Sequence, residues 1–186
     1  MLLSKALLNE LTEKREINES LQYSPKRDPE SYDIFISYNF NDISYAKKIV
    51  GLLAKHNYSA YADYQDLSLN RNNVSVKTAK HLLLKMKKCK ALFYLHSKSA
   101  TVSKWCPWEV GIFSGIKNFK CANLPIVDKK YDKLYKHQEY LSLYPYVDYE
   151  KNSDDNTYDF WINCQDGKYV SLREWLNGKQ PRFHSN

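Results

Sequence analysis

Between residues 32 and 127, short apolar runs alternate with longer segments of helical period, and this alternation constrains the fold more than any other feature of the chain. Residues 32–37, 58–62, 91–95 and 122–127 read as strands, the second weaker than the others. Residues 42–56 put Ile43, Ala46, Ile49, Val50 and Leu53 at helical spacing, and residues 74–88 and 103–117 are read as helices too. Strands separated by helices form βαβ units, whose crossovers give a parallel sheet with helices on both faces. The expectation is an α/β domain.

The flanks are less regular. Residues 3–21 read as a helix, with Leu3, Leu7, Leu11, Ile17 and Leu21 roughly on one face. Residues 24–31 hold two prolines and no aliphatic or aromatic side chain, which is the composition of a linker. The chain thus divides into an N-terminal helix and linker, residues 1–31, and a domain over residues 32–186 whose C-terminal region is elaborated from about residue 128. The helix either packs back on the domain, the commoner outcome, or contacts a partner. Further on, residues 134–144 are a helical candidate, 151–156 a polar loop and 158–162 a fifth strand. Asp166 and Gly167 read as a turn, and residues 171–177 as a short helix capped by Ser171 and ended by Gly178.

Composition narrows the function classes. The chain has 186 residues, enough for one core, and 43% hydrophobic with 26% charged residues suits a soluble globular protein. No apolar run spans a bilayer, and the leucine-rich start is broken by Lys5 without a small-residue cleavage site, so a cytoplasmic location is expected. Cys89, Cys106, Cys121 and Cys164 form no C-x-x-C pair, so no metal site is expected and reduced thiols are. The net charge of +7 reads mostly as a lysine-rich solvated surface. Its densest run, residues 85–90, suits a helix C-terminus, and no nucleic-acid module is recognisable.

In an open parallel sheet, ligands bind beyond the C-terminal ends of the strands. This chain puts Ser37, Tyr38 and Asn39 there after the first strand, Asp63 after the second, and residues 96–99 after the third. The next helix opens with Ser103 as a plausible N-cap and carries Trp105 and Glu109 four residues apart on one face. A carboxylate close to a helix N-terminus is expected to be ionised. Cys106 is read as a packing residue, since no histidine adjoins it, and Trp108 as core.

The run Y-D-I-F-I-S-Y-N-F-N-D at residues 32–42 is similar to the first strand and loop of TIR domains, and S-K-W-C-P-W-E at residues 103–109 resembles their S-x-W-C-x-x-E box. The resemblance covers about residues 32–127. It implies a flavodoxin-like TIR fold, a five-stranded mainly parallel sheet of order 2-1-3-4-5. In TIR domains that cleave NAD⁺ the glutamate of this box is catalytic, and Glu109 matches it. Trp105 matches the tryptophan of the box and Tyr38 an aromatic lining the same pocket, while Ser37, Asn39 and Asp63 are candidate polar contacts. Asn39 stands where NAD⁺-cleaving relatives often carry a basic residue.

The resemblance further implies NAD⁺ as substrate with no separate cofactor. The tyrosine-rich tail is of the general kind found in stand-alone TIR proteins of bacterial anti-phage systems, above all the Thoeris type. A producer of a linear or cyclic ADP-ribose signal is thereby implied, acting on a separate effector protein, with TIR–TIR self-association and neither nucleic acid nor membrane as partner. Residues 63–72 are the candidate subunit contact. Two alternatives stay open: a non-catalytic TIR scaffold, since receptor domains share the box, and a nucleoside-processing enzyme of related fold. The loop after the second strand lacks the Arg-Asp-x-x-Pro-Gly box of the receptors.

Overall fold

The computed structural model describes residues 2–13, 30–66, 75–128, 139–152 and 156–183. Its central strands are β2 (Tyr32–Ser37), β3 (Ala60–Tyr61), β4 (Cys89–His96) and β5 (Cys121–Val127), joined by helices α2 (Ile43–Lys55), α3 (Val76–Lys88) and α4 (Trp105–Ile116). β4 lies between β2 and β5 and is parallel to both, while β3 pairs in parallel with the outer edge of β2. The order β3-β2-β4-β5 is the expected parallel arrangement. Each strand alternates its side chains between two layers. Ile34, Ile36, Phe93 and Leu95 point to the layer that holds α2. Phe35, Leu92 and Tyr94 point to the layer that holds Met86 of α3 and Val110 and Phe113 of α4.

The sheet is larger than five strands. β6 (Tyr146–Lys151) takes the place beside β5 in parallel register, with Asn123 opposite Tyr146. The segment read as the fifth strand is instead β7 (Tyr158–Asn163), antiparallel to β6, and β8 (Tyr169–Ser171) extends the sheet further. The alternation that builds β6 is present in the sequence, with Val147 and Tyr149 buried between charged neighbours. Asp148, Glu150 and Lys151 on the other face weaken that signal, and only Lys151 falls in the stretch read as a polar loop. The Asp166–Gly167 turn forms with Gly167 at a positive φ of 87°, and Ser171 caps α5 (Leu172–Leu176) by accepting the Glu174 N–H. Gly178, at φ 99°, ends that helix.

The N-terminal segment joins the same body. Leu3 and Ser4 form β1, parallel to Ile126 and Val127 at the end of β5, and α1 (Lys5–Glu13) packs against α2. Pro125, which has no N–H to offer, stands where the edge of β5 passes from β6 to β1. The helix expected over residues 3–21 therefore begins as a strand. Its continuation at 14–21, most of the linker at 24–31 and the first half of the candidate helix at 134–144 lie outside the described residues, and residues 139–143 form a 3₁₀ turn. No helix among the described residues is long and apolar enough to cross a membrane.

Candidate active site

Three separate stretches bring polar groups to the C-terminal edge of the sheet on the α4 side. Ser37 is the last residue of β2 and is 1% exposed. Glu109 lies one turn inside α4 and is 8% exposed. The Ser37 hydroxyl donates to Glu109 Oε2 at 2.5 Å. Asp63 opens the 3₁₀ turn after β3, and its negative charge is felt at Glu109. Ser37, Asp63 and Glu109, separated in sequence, thus converge as expected.

Glu109 departs from the expectation of an ionised carboxylate. Burial pushes its pKa up to about 8; the Ser37 hydroxyl opposes this and Asp63 adds to it. The helix terminus gives little help because its influence is confined to the first turn, and Glu109 lies beyond it. Two of the first-turn N–H groups already have a partner: Ser103 Oγ accepts from Trp105 N and Cys106 N, both at 3.2 Å. Cys106 is fully buried, and burial with Glu109 nearby pushes its thiol up to about 12 against the Ser103 and Ser37 hydroxyls. A thiol held protonated in this way is no nucleophile.

The remaining candidates serve the rim. Trp105, half-buried at the first position of α4, meets Trp108 edge-to-face with centroids 5.2 Å apart. Tyr38 follows Ser37 but packs with the core of the α2 layer, its ring 6.5 Å from that of Tyr64. Asn39 uses its side-chain oxygen to accept the Asn41 N–H at 3.0 Å, capping the turn Phe40–Asp42. Residues 67–72 of the candidate subunit contact lie outside the described residues; within it, Asp66 contacts His81 Nε2 of α3 at 2.5 Å. The four cysteines are free thiols, and no cluster of three metal-ligating side chains occurs among the described residues.

One group escaped the sequence reading. Asp42, 5% exposed, accepts from Ser97 Oγ at 2.5 Å and Ser99 Oγ at 2.6 Å through the same oxygen, Oδ2. An Asp before an apolar-periodic run reads simply as a helix start. Its partners lie 55 and 57 residues away, beyond any local signal.

No family model matches the chain. It is 42% identical over 149 residues to the probable 3′ cyclic ADP-D-ribose synthase ThsB′ of Bacillus cereus (strain MSX-D12), a match covering 78% of this chain and 75% of that relative. Among solved structures, a metazoan TIR-STING receptor from C. gigas superposes with a TM-score of 0.43 at 18% identity, over 62% of this chain and 37% of the receptor.

Proposed function

The chain belongs to the ThsB′ family, the TIR proteins of Thoeris anti-phage defence, and from that premise we propose that it cleaves the nicotinamide–ribose bond of NAD⁺ and releases a cyclic ADP-ribose-type signal for a separate effector protein. The observation that carries this reading is the 42% identity to the probable 3′ cyclic ADP-D-ribose synthase ThsB′ over three quarters of both chains. The buried Ser37–Glu109 pair supplies the chemistry.

Scission of this bond turns a cationic nicotinamide into a neutral leaving group and builds positive charge on the ribose. No proton has to be delivered to the leaving group, so one carboxylate suffices where glycoside hydrolysis ordinarily uses two. Burial keeps Glu109 largely protonated in the free protein at neutral pH. The arriving cationic nicotinamide-riboside unit favours the charged carboxylate, whose proton leaves to solvent. That carboxylate then faces the oxocarbenium-like sugar in a low-dielectric setting, where a fixed charge is most effective. Ser37 holds Oε2 and leaves Oε1 for the ribose. Capture of the sugar by a hydroxyl of the same ADP-ribose closes a ring and capture by water gives the linear product; in either case the hydroxyl proton passes to the Glu109 carboxylate, which restores its protonated form.

Asp63 is suited to hold a ribose hydroxyl, and Trp105 to stack on a flat ring. Tyr38 and Asn39, engaged with Tyr64 and Asn41, shape the loop that borders the site. Self-association through the loop after β3 completes the reading. Incubation of the purified protein with NAD⁺, with nicotinamide followed by chromatography, tests it. Release by the wild type, reduced by about a hundredfold or more in Glu109→Ala, is the expected result. Undiminished release by Glu109→Ala overturns the assigned role.

A further inference from the structure

We propose that Asp42 is a positioning residue for the Glu109 site, acting through the hydroxyls of Ser97 and Ser99; the proposal rests on the NAD⁺-cleaving reading above. Ser37 and Glu109 arrive on different segments, and two connectors set their separation. The first, after β2, runs from Tyr38 to Asp42. The second, after β4, runs from Ser97 through the 3₁₀ turn Ala100–Val102 to the Ser103 cap of α4. Asp42 is where the two connectors are tied together.

The tie is continuous from Asp42 to the helix that carries Glu109. Asp42 Oδ2 accepts from Ser97 Oγ at 2.5 Å and from Ser99 Oγ at 2.6 Å, and the two hydroxyls stand 3.1 Å apart. Ser97 Oγ also accepts the Ala100 N–H at 3.1 Å, which starts the turn leading to Ser103. From Ser103 the hydroxyl reaches the first two N–H groups of α4. Every joint from Asp42 to the first turn of α4 is thus a covalent step or a hydrogen bond.

The position of Asp42 argues that this tie is its task. It stands at the N-cap of α2, where an aspartate ordinarily accepts a first-turn N–H, yet its side chain makes no such bond. Asn39 caps the preceding turn in its stead. Among the described residues Asp42 forms no ion pair. A buried carboxylate served by hydroxyls is costly to keep, and a helix cap alone would be supplied as well by serine. What the carboxylate adds is a single oxygen able to accept two hydroxyls from the other connector. Displacing the two halves of a site by about 1 Å is enough to lower turnover by about a hundredfold.

The test uses the full-length chain and two readouts. Steady-state nicotinamide release from NAD⁺ gives kcat and KM. Alkylation of each cysteine by a small thiol reagent, resolved by mass spectrometry, reports local opening: Cys106 lies in the first turn of α4, the equally buried Cys121 packs against the later turns of that helix at Val110 and Ser114, and the equally buried Cys89 lies apart from it at the start of β4. Asp42→Ala, and the double variant Ser97→Ala with Ser99→Ala, are expected to lower kcat about tenfold or more with a smaller change in KM. Both raise Cys106 labelling about tenfold relative to Cys89 and Cys121. Asp42→Asn, whose amide oxygen can accept from both serines, is expected to recover most of the activity lost in Asp42→Ala. The proposal is overturned if all three buried cysteines open together, if Cys106 labelling stays at the wild-type rate, or if kcat is unchanged. If the wild type releases no nicotinamide, the NAD⁺ reading fails, and the ratio of Cys106 to Cys89 labelling alone decides whether the tie exists.

Discussion

Ser37 Oγ and Glu109 Oε2 meet at 2.5 Å although 72 residues separate them in sequence. The bond joins the end of an inner strand to the second turn of the helix that follows the central strand. It is also the one hydrogen bond opposing the burial that pushes the glutamate up to about 8. The pair therefore fixes the direction of the carboxylate and moderates the upward shift that burial imposes on it.

The first prediction concerns the pH profile. The carboxylate form of Glu109 in the free protein grows as pH rises through about 8, so kcat/KM is expected to rise below that pH and level off above it. Ser37→Ala removes the hydroxyl that favours the charged form. A hydrogen bond to a charged group contributes about 1.5–3 kcal/mol, so the midpoint should move upward by about one unit or more. Initial rates at low NAD⁺ between pH 6 and 10 measure both.

A second follows from linkage. The folded protein holds the Glu109 proton up to about 8, whereas the unfolded chain releases it near the ordinary carboxylate value of 4.5. Between these values the native state binds more protons, so this group's contribution to stability falls as pH rises. Glu109→Gln lacks that dependence. The stability difference between wild type and variant, from urea unfolding at pH 5 and pH 8.5, should shift toward the variant at the higher pH by an amount on the order of a few kcal/mol.

The N-terminal segment gives a third. Leu8 is fully buried and belongs to the core shared by α1, α2 and the sheet. Leu8→Ala should cost about 2–5 kcal/mol in chemical denaturation. Lys5→Ala, which removes an exposed ion pair to Asp128, should leave the unfolding midpoint almost unchanged.

Trp105 supplies a fourth. If its ring stacks on the substrate, Trp105→Ala raises KM for NAD⁺ more than it lowers kcat, and Trp105→Phe restores much of the affinity. A fall in kcat at unchanged KM would instead mark Trp105 as support for the helix start beside Trp108.

Much of this arrangement was legible in the sequence because it depends on local periodicity. The four parallel strands, the helices between them, the Ser171 and Gly178 boundaries and the lysine-rich end of α3 all follow from patterns within a few residues. What stayed hidden depends on distant neighbours. β6 joins β5 through one register pair, Asn123 with Tyr146, and its charged outer face masked the alternation of Val147 and Tyr149. The upward shift of Glu109 could not be read from its place on the helix, since it arises from burial in the folded chain, reinforced by Asp63 and opposed by Ser37 on other segments. Asp42 looked like a helix start, and only the folded chain brings Ser97 and Ser99 to it.

The most direct measurement is mass spectrometry of the products formed from NAD⁺ by the wild type and by Glu109→Ala. The account predicts free nicotinamide together with an ADP-ribose species of cyclic mass from the wild type, and intact NAD⁺ with the variant. Unchanged NAD⁺ from an assembled, folded wild type, or the same products from Glu109→Ala, would contradict it.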